Sequence, residues 1–233
     1  MTDTRAVLLD IEGTTTPIDF VYTTLFPFAR GRIADFLAGC DAGLLEALQR
    51  EHSADANSPP AWGGDDREGA TAYATWLMDR DVKSTALKTA QGLIWEEGYA
   101  SGELRGAVYR DVAPALRRWE SDGVMAAIFS SGSVLAQKLL FRHSTEGDLT
   151  PLLTGYFDTT TGPKREADSY RCIAGHLRVG PGAVLFLSDV AAELDAAREA
   201  GMATRLVVRP GTAELAEPGH DVIRDFDGVL AGA

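Results

Sequence analysis

The amino-acid sequence predicts an α/β fold, a doubly wound and mostly parallel sheet with an all-helical segment inserted after the first strand. Three observations carry this. Ala6-Val7-Leu8-Leu9, Val124 to Phe129, Ala183 to Leu187 and Thr204 to Val208 are short aliphatic runs without polar alternation, the pattern of strands covered on both faces. The Ala- and Leu-rich segments Val134 to Phe141 and Ala191 to Ala200 are long enough for the crossover helices that parallel strands require. From about Asp19 to about Gly106 no strand pattern occurs, whereas Leu44, Leu45 and Leu48, then Tyr73, Trp76 and Leu77, fall at helical spacing.

The expected organisation is therefore a core of residues 1–18 and 106–233 with a helical insert of residues 19–105 placed as a cap. Within the insert, Asn57-Ser58-Pro59-Pro60 and Gly63-Gly64-Asp65-Asp66 cannot continue a helix and predict a loop. A hydrophobic content of 45% and a charged content of 24% suit a folded globule with a substantial core.

Charge narrows the partners. With 34 acidic and 22 basic side chains the formal net charge is −12, and such a surface repels nucleic-acid phosphates and anionic lipid. Any phosphate ligand must then meet concentrated positive charge inside its site, from a metal, a lysine or backbone N–H groups. Met1–Arg5 is polar and the apolar run that follows is too short for a signal peptide. Cys40 and Cys172 have no metal-ligand spacing and read as reduced packing residues. His52, His143, His176 and His220 share no ligand spacing, and Trp62 and Trp119 read as packing residues. The expectation is a cytoplasmic monomer with a small-molecule substrate.

Four strand ends carry chemistry, and in open α/β sheets ligands gather outside the carboxyl ends of strands. The first strand stops at Asp10-Ile11-Glu12-Gly13-Thr14-Thr15. Asp10 is a competent nucleophile toward phosphorus if a cation offsets anion–anion repulsion, and Glu12 can protonate the leaving oxygen and later activate water. The second ends in Ser130-Ser131-Gly132-Ser133 before a helix; Ser133 reads as its N-cap, leaving Ser130 and Ser131 as phosphate ligands. The third, Gly162-Pro163-Lys164, offers an ammonium to the phosphate. The fourth ends in Ser188-Asp189 with Glu193 four residues on. Asp189 there suits Mg²⁺, which needs few protein oxygens, and Glu193 is placed to hold a metal-bound water. Any one of these is equally a strand-end turn, a helix cap or a surface charge; their order is informative.

That order resembles the haloacid dehalogenase superfamily, with the helical insert as its cap. Asp10–Thr15, Ser130–Phe141, Lys164–Tyr170 and the insert segment Leu87–Trp95 are similar to the enolase-phosphatase (acireductone synthase) family of methionine salvage. Most superfamily phosphatases have Asp where Glu12 stands. The resemblance implies Asp10 as nucleophile and metal ligand, Glu12 as acid/base and contributor to the metal site, Ser130 and Ser131 on phosphate, Lys164 as its counter-charge, and Asp189 completing a site for one Mg²⁺ per chain. It implies enolisation and then dephosphorylation of 2,3-diketo-5-methylthiopentyl 1-phosphate. Lys88, Gln91 and Trp95 stand at i, i+3 and i+7, so one helix face presents all three; Lys88 and Gln91 are the expected substrate contacts of the insert, unless Trp95 only packs and the other two are solvated. A capped phosphatase for another small ester, a hydrolytic dehalogenase and a catalytically silent binding protein are the competing readings.

Overall fold

The computed structural model describes residues 4–82, 84–210 and 219–230. The chain divides into two compact units, Met1–Phe20 with Arg105–Ala233, and Val21–Leu104.

The first unit is built on a sheet of order β3-β2-β1-β4-β5-β6, formed by β1 (Ala6–Leu9), β2 (Met125–Phe129), β3 (Gly155–Phe157), β4 (Val184–Ser188), β5 (Ala203–Val207) and β6 (Val222–Ile223). All five pairings are parallel. The four aliphatic runs are strands within a residue of where the pattern places them; the two-residue β6 carries too little pattern to be read.

Why these runs became parallel strands is visible in their burial. Ala6, Val7, Leu8 and Leu9 are all fully buried, so both faces of β1 are covered. On one face Leu8, Phe129 and Phe186 join Tyr170, Ile173, Leu194 and Ala197 in a single cluster, contributed by α9 (Ala167–His176) and α10 (Ala191–Glu199). The alternate residues Val7 and Leu9 point the other way. On that side α7 (Val112–Ser121) packs on β2, and its fully buried Trp119 lies 5.8 Å from the Phe226 ring.

The chain runs outward through β1, β2 and β3, then returns to place β4 on the other flank of β1. Register matches Leu9 with Ile128 and with Leu187, so β1, β2 and β4 end within one residue of the same level. The next residues, Asp10, Ser130 and Asp189, therefore emerge beside one another at the point where strand order reverses, the usual ligand crevice of such sheets. A short α1 (Ile18–Phe20) closes this first part of the unit.

The second unit is helical. It comprises a five-residue π-helical turn, Val21–Leu25, and α2 (Phe26–Arg30), α3 (Ile33–Gly39), α4 (Ala42–Ala54), α5 (Asp66–Asp79) and α6 (Thr85–Ser101). Side chains cap three helix starts: Asp41 accepts from Leu44 N at 3.1 Å, Asp65 from Glu68 N at 3.0 Å, and Ser84 from Leu87 N at 2.9 Å. The Pro/Gly/Asp stretch between α4 and α5 is loop. α6 stops at Gly102, whose φ of 78° is the left-handed conformation that ends helices. Ile33, Leu37, Leu48, Ala74, Leu77 and Ala90 form its interior.

Candidate active site

The loop after β1 is folded by its own sequence. Ile11 carbonyl accepts from Thr14 N, Thr15 N and Thr16 N, and Gly13 N donates to Thr16 carbonyl at 2.9 Å. Gly13 adopts φ +68°, and a Cβ there would stand 2.1 Å from Asp189 Oδ2. Only glycine permits this turn and this approach of the Asp189 carboxylate at once. Asp189 is tied to the same loop through its N–H, which donates to Thr14 Oγ1 at 3.1 Å.

Asp10 is buried and both of its oxygens are engaged. Oδ1 accepts from Ile11 N at 2.7 Å and pairs with Lys164 Nζ at 2.7 Å, and Oδ2 accepts from Ser188 Oγ at 3.1 Å. Lys164 also pairs with Glu193 Oε2 at 2.6 Å, and 10% of its side chain is exposed. Burial by itself pushes the Lys164 ammonium down, but the charges of Asp10 and Glu193 overcome it and the net shift is upward. The lysine is therefore held as a cation between two carboxylates. Glu12 is turned toward Ser130, whose hydroxyl donates to Oε2 at 3.4 Å. Burial, then the charge of Asp10, raises the Glu12 carboxyl above its ordinary value.

Ser130 is fully buried and its Oγ also accepts from Gly132 N at 3.1 Å. Ser133 caps α8 (Val134–Arg142), accepting from Ala136 N at 3.3 Å. Gln137, one turn into α8, donates Nε2 to Gly132 carbonyl at 2.8 Å and to Phe157 carbonyl at 2.9 Å. It thereby ties the serine loop to the end of β3. Ser131 is partly exposed.

Sequence reasoning brought Asp10, Glu12, Ser130, Lys164 and Asp189 together, and the structure places all five at this one sheet edge. Glu193, read as a holder of metal-bound water, also pairs with Lys164, because an ammonium buried beside one carboxylate takes a second for its remaining donors. Ser188 was not singled out, since a lone serine at a strand end has no signal of its own; its hydroxyl touches Asp10 Oδ2 and lies 3.3 Å from Glu193 Oε2. Lys88 and Gln91 both lie on α6, and Gln91 is buried. Trp95 packs the helical unit, its indole N–H donating to Leu25 carbonyl at 2.9 Å and its ring stacked on Phe26 at 6.4 Å.

The carboxylates outnumber the cations here. Asp10, Glu12, Asp189 and Glu193 all draw on the ammonium of Lys164. Burial first and the Asp10 charge second push Asp189 and Glu193 each up to about 7. This surplus of hard oxygen donors fits a divalent cation such as Mg²⁺. Among the described residues no three His, Cys, Asp or Glu side chains form a complete metal cage. Mg²⁺ does not need one, because it retains waters and substrate oxygens and takes only one or two carboxylates. Asp189 lies against the glycine turn that follows Asp10, and the Asp10 charge acts on it.

A pH dependence follows. Asp and Glu titrate near 4 in an unfolded chain, whereas Asp189 and Glu193 stand near 7 in the folded one. Between those values the folded state binds more protons, so stability falls as pH rises. This contribution is complete below about pH 4 and gone above about pH 7. In thermal melts the metal-free chain should melt roughly 5 °C lower at about pH 8 than at about pH 5.5, and Mg²⁺ should restore most of that difference at the higher pH only. Equal Mg²⁺ shifts at both pH values would contradict the assignment of the charge surplus.

Comparison with known proteins agrees with this geometry. Residues 4–201 match the haloacid dehalogenase-like hydrolase family. Over 227 residues, 95% of each chain, the sequence is 54% identical to enolase-phosphatase E1 of Synechococcus elongatus. It is 53% identical over 97% of each chain to that of Sorangium cellulosum, and 45% identical over 97% of each chain to that of Drosophila grimshawi. This chain belongs to the enolase-phosphatase E1 family of haloacid dehalogenase-like hydrolases. The UTR4 protein of Saccharomyces cerevisiae shares the structure at a TM-score of 0.81 with 36% identity, covering 97% of this chain and 100% of that one. CbbY of Rhodobacter sphaeroides shares the fold alone, at 20% identity and a TM-score of 0.58 over 97% and 96% of the two chains. This chain thus combines a hydrolase sheet with Glu12 two residues after Asp10, and the structure turns that Glu12 toward Ser130. No helix of the described residues is long and apolar enough to cross a membrane.

Proposed function

We propose that this enzyme converts 2,3-diketo-5-methylthiopentyl 1-phosphate to the acireductone 1,2-dihydroxy-3-keto-5-methylthiopentene and inorganic phosphate, a step of methionine salvage. The single supporting observation is the cluster in which Lys164 bridges Asp10 and Glu193 while Glu12 and Asp189 flank it, in a chain of the enolase-phosphatase E1 family.

Asp10 attacks phosphorus, the ester oxygen leaves, and Glu12, whose raised proton affinity suits a general acid, protonates it. The resulting aspartyl phosphate is hydrolysed by water that gives its proton to Glu12. Lys164 and the Ser130–Ser131 loop hold the phosphate oxygens. Asp10 and Asp189 would hold one Mg²⁺, which supplies the charge that lets one anion attack another. In the preceding enolisation Glu12 removes a proton from the carbon bearing the phosphate ester, the C–H electron pair passes to the adjacent carbonyl oxygen, which takes a proton from solvent, and Glu12, now protonated, is the acid of the next step; its side chain is one methylene longer than aspartate and reaches further from the strand end. Lys88 and Gln91, both on α6, are the candidate contacts for the two carbonyls and the thioether tail of the substrate. We place the enzyme in the cytoplasm as a monomer.

The test is an assay that follows phosphate release together with enol and acireductone absorbance, with and without Mg²⁺. Metal-dependent formation of both products supports the reading. Release of phosphate from simple esters, with no turnover of the diketo compound, would leave a phosphatase and remove the salvage role. Glu12→Asp should lower enolisation at least about tenfold more than hydrolysis of a simple ester, in the range of general acid–base effects; equal losses would remove Glu12 as the base. Lys88→Ala with Gln91→Ala should raise KM for the diketo compound and leave simple esters unaffected, and an unchanged KM would remove both from the substrate site.

A further inference from the structure

Beneath the loop that follows β1 lies a second buried ion pair that the chemistry above does not use. Arg209, two residues after the end of β5, is 3% exposed and Asp111, at the start of α7, is 8% exposed. Arg209 Nη1 pairs with Asp111 Oδ2 at 2.8 Å, and its Nε donates to Thr14 carbonyl at 2.9 Å. The guanidinium lies between two rings, 4.2 Å from the Tyr109 centroid and 4.6 Å from that of Phe226. Its Nη1 also donates to Arg224 carbonyl at 3.3 Å, and Asp111 Oδ2 accepts from Phe226 N at 2.8 Å. Burying both charges is expensive, and a pair of well-packed apolar side chains would have served stability at least as well. What an apolar pair could not do is donate to a backbone carbonyl in the loop beside the nucleophile.

Thr14 is the point of leverage. Its carbonyl is held by Arg209, and its hydroxyl accepts from Asp189 N at 3.1 Å. The neighbouring Thr15 carbonyl accepts from Tyr109 N at 2.9 Å, so the residue whose ring covers Arg209 also pins the loop. One residue earlier, Gly13 is in contact with the Asp189 carboxylate and leaves no room for a Cβ. A shift of Thr14 therefore moves the Asp189 backbone and carboxylate relative to Asp10.

We propose that Arg209, held by Asp111, is a positioning residue of the reaction: it fixes Thr14, and through Thr14 it sets Asp189 opposite Asp10. This deepens the proposed function and rests on it. The planar fork of arginine serves two differently directed acceptors at once, which a lysine ammonium on a flexible stem does not reproduce.

The test compares Arg209→Lys and Asp111→Asn with Trp119→Phe, a control that perturbs the packing against Phe226 without touching the loop. For each, kcat and KM for the diketo phosphate, the Mg²⁺ dissociation constant by calorimetry, and the melting temperature are measured. Arg209→Lys should lower kcat by about 10- to 100-fold with KM little changed. Its Mg²⁺ dissociation constant should rise about tenfold or more, as when a residue supporting a metal ligand is lost. Trp119→Phe should lower the melting temperature and leave both constants near wild type. Asp111→Asn keeps the shape of the pair, and should show the same split if Arg209→Lys does not fold. The proposal is overturned if a folded Arg209→Lys or Asp111→Asn matches wild type in kcat and Mg²⁺ affinity, or if Trp119→Phe loses as much of both. A wild-type chain that neither turns over the diketo phosphate nor binds Mg²⁺ would overturn the functional reading itself. Wild-type behaviour in the variants of an active enzyme overturns the brace alone.

Discussion

Asp10→Asn is expected to lower phosphate release from every ester by about 10⁴-fold or more, the scale seen when a covalent nucleophile is removed. The amide is isosteric and keeps the contact of Oδ1 with Ile11 N, but it is not a nucleophile toward phosphorus. The same substitution should not destabilise the metal-free chain at about pH 8, because the charge of Asp10 helps to push Glu12, Asp189 and Glu193 upward. Removing it relieves three buried carboxylates, while Lys164 keeps Glu193 as a partner. Rate assays with a melting curve separate the two effects. Residual phosphatase activity within about tenfold of wild type would remove Asp10 as nucleophile.

Lys164→Met carries the second large expectation, and here activity and stability fall together. Methionine fills the volume of the side chain but leaves Asp10, Glu12, Asp189 and Glu193 without a cation. Breaking a buried pair by removing one partner costs about 3–5 kcal/mol, and phosphate release should fall by about 10³-fold for want of its counter-charge. The stability loss has a sign in pH. With the ammonium gone, Glu12, Asp189 and Glu193 rise further in the folded state, so the variant should be close to wild type below about pH 4 and progressively weaker above about pH 7. Mg²⁺ should recover part of the stability at the higher pH. Denaturant titrations at the two pH values read this directly, and a pH-independent loss would mean that Lys164 acts by packing.

Much of this was legible in the sequence, for a physical reason. A parallel strand covered on both faces must be aliphatic throughout, so Ala6–Leu9, Val184–Leu187 and their neighbours announce themselves, and the first polar residue after each run marks its carboxyl end. Asp10, Ser130 and Ser188 are those residues, and register brings them within one residue of the same level. The helical insert was legible because Leu and aromatic residues recur at helical spacing with a Pro/Gly/Asp break between α4 and α5.

What stayed hidden depends on long-range partners. Arg209 follows β5 as an ordinary polar residue, and nothing local marks it as bound to Asp111, 98 positions earlier, and to Thr14, 195 positions earlier. Ser188 looks like the polar end of a strand until the sheet order sets it beside Asp10. The ion pair of Glu193 was hidden in the same way, because its spacing from Asp189 shows one helical turn, whereas Lys164 arrives from beyond β3. The short β6 has two residues, Val222 and Ile223, and so no periodicity to read.

The central claim is that Asp10, set between Lys164 and Asp189, becomes phosphorylated. The direct measurement is rapid acid quenching of the enzyme turning over the diketo phosphate with Mg²⁺, followed by peptide mass spectrometry. The account predicts one phosphoryl group on the peptide that carries Asp10, absent without Mg²⁺ and absent in Asp10→Asn. Full turnover with that peptide unmodified at every quench time, or undiminished turnover by Asp10→Asn, would contradict it.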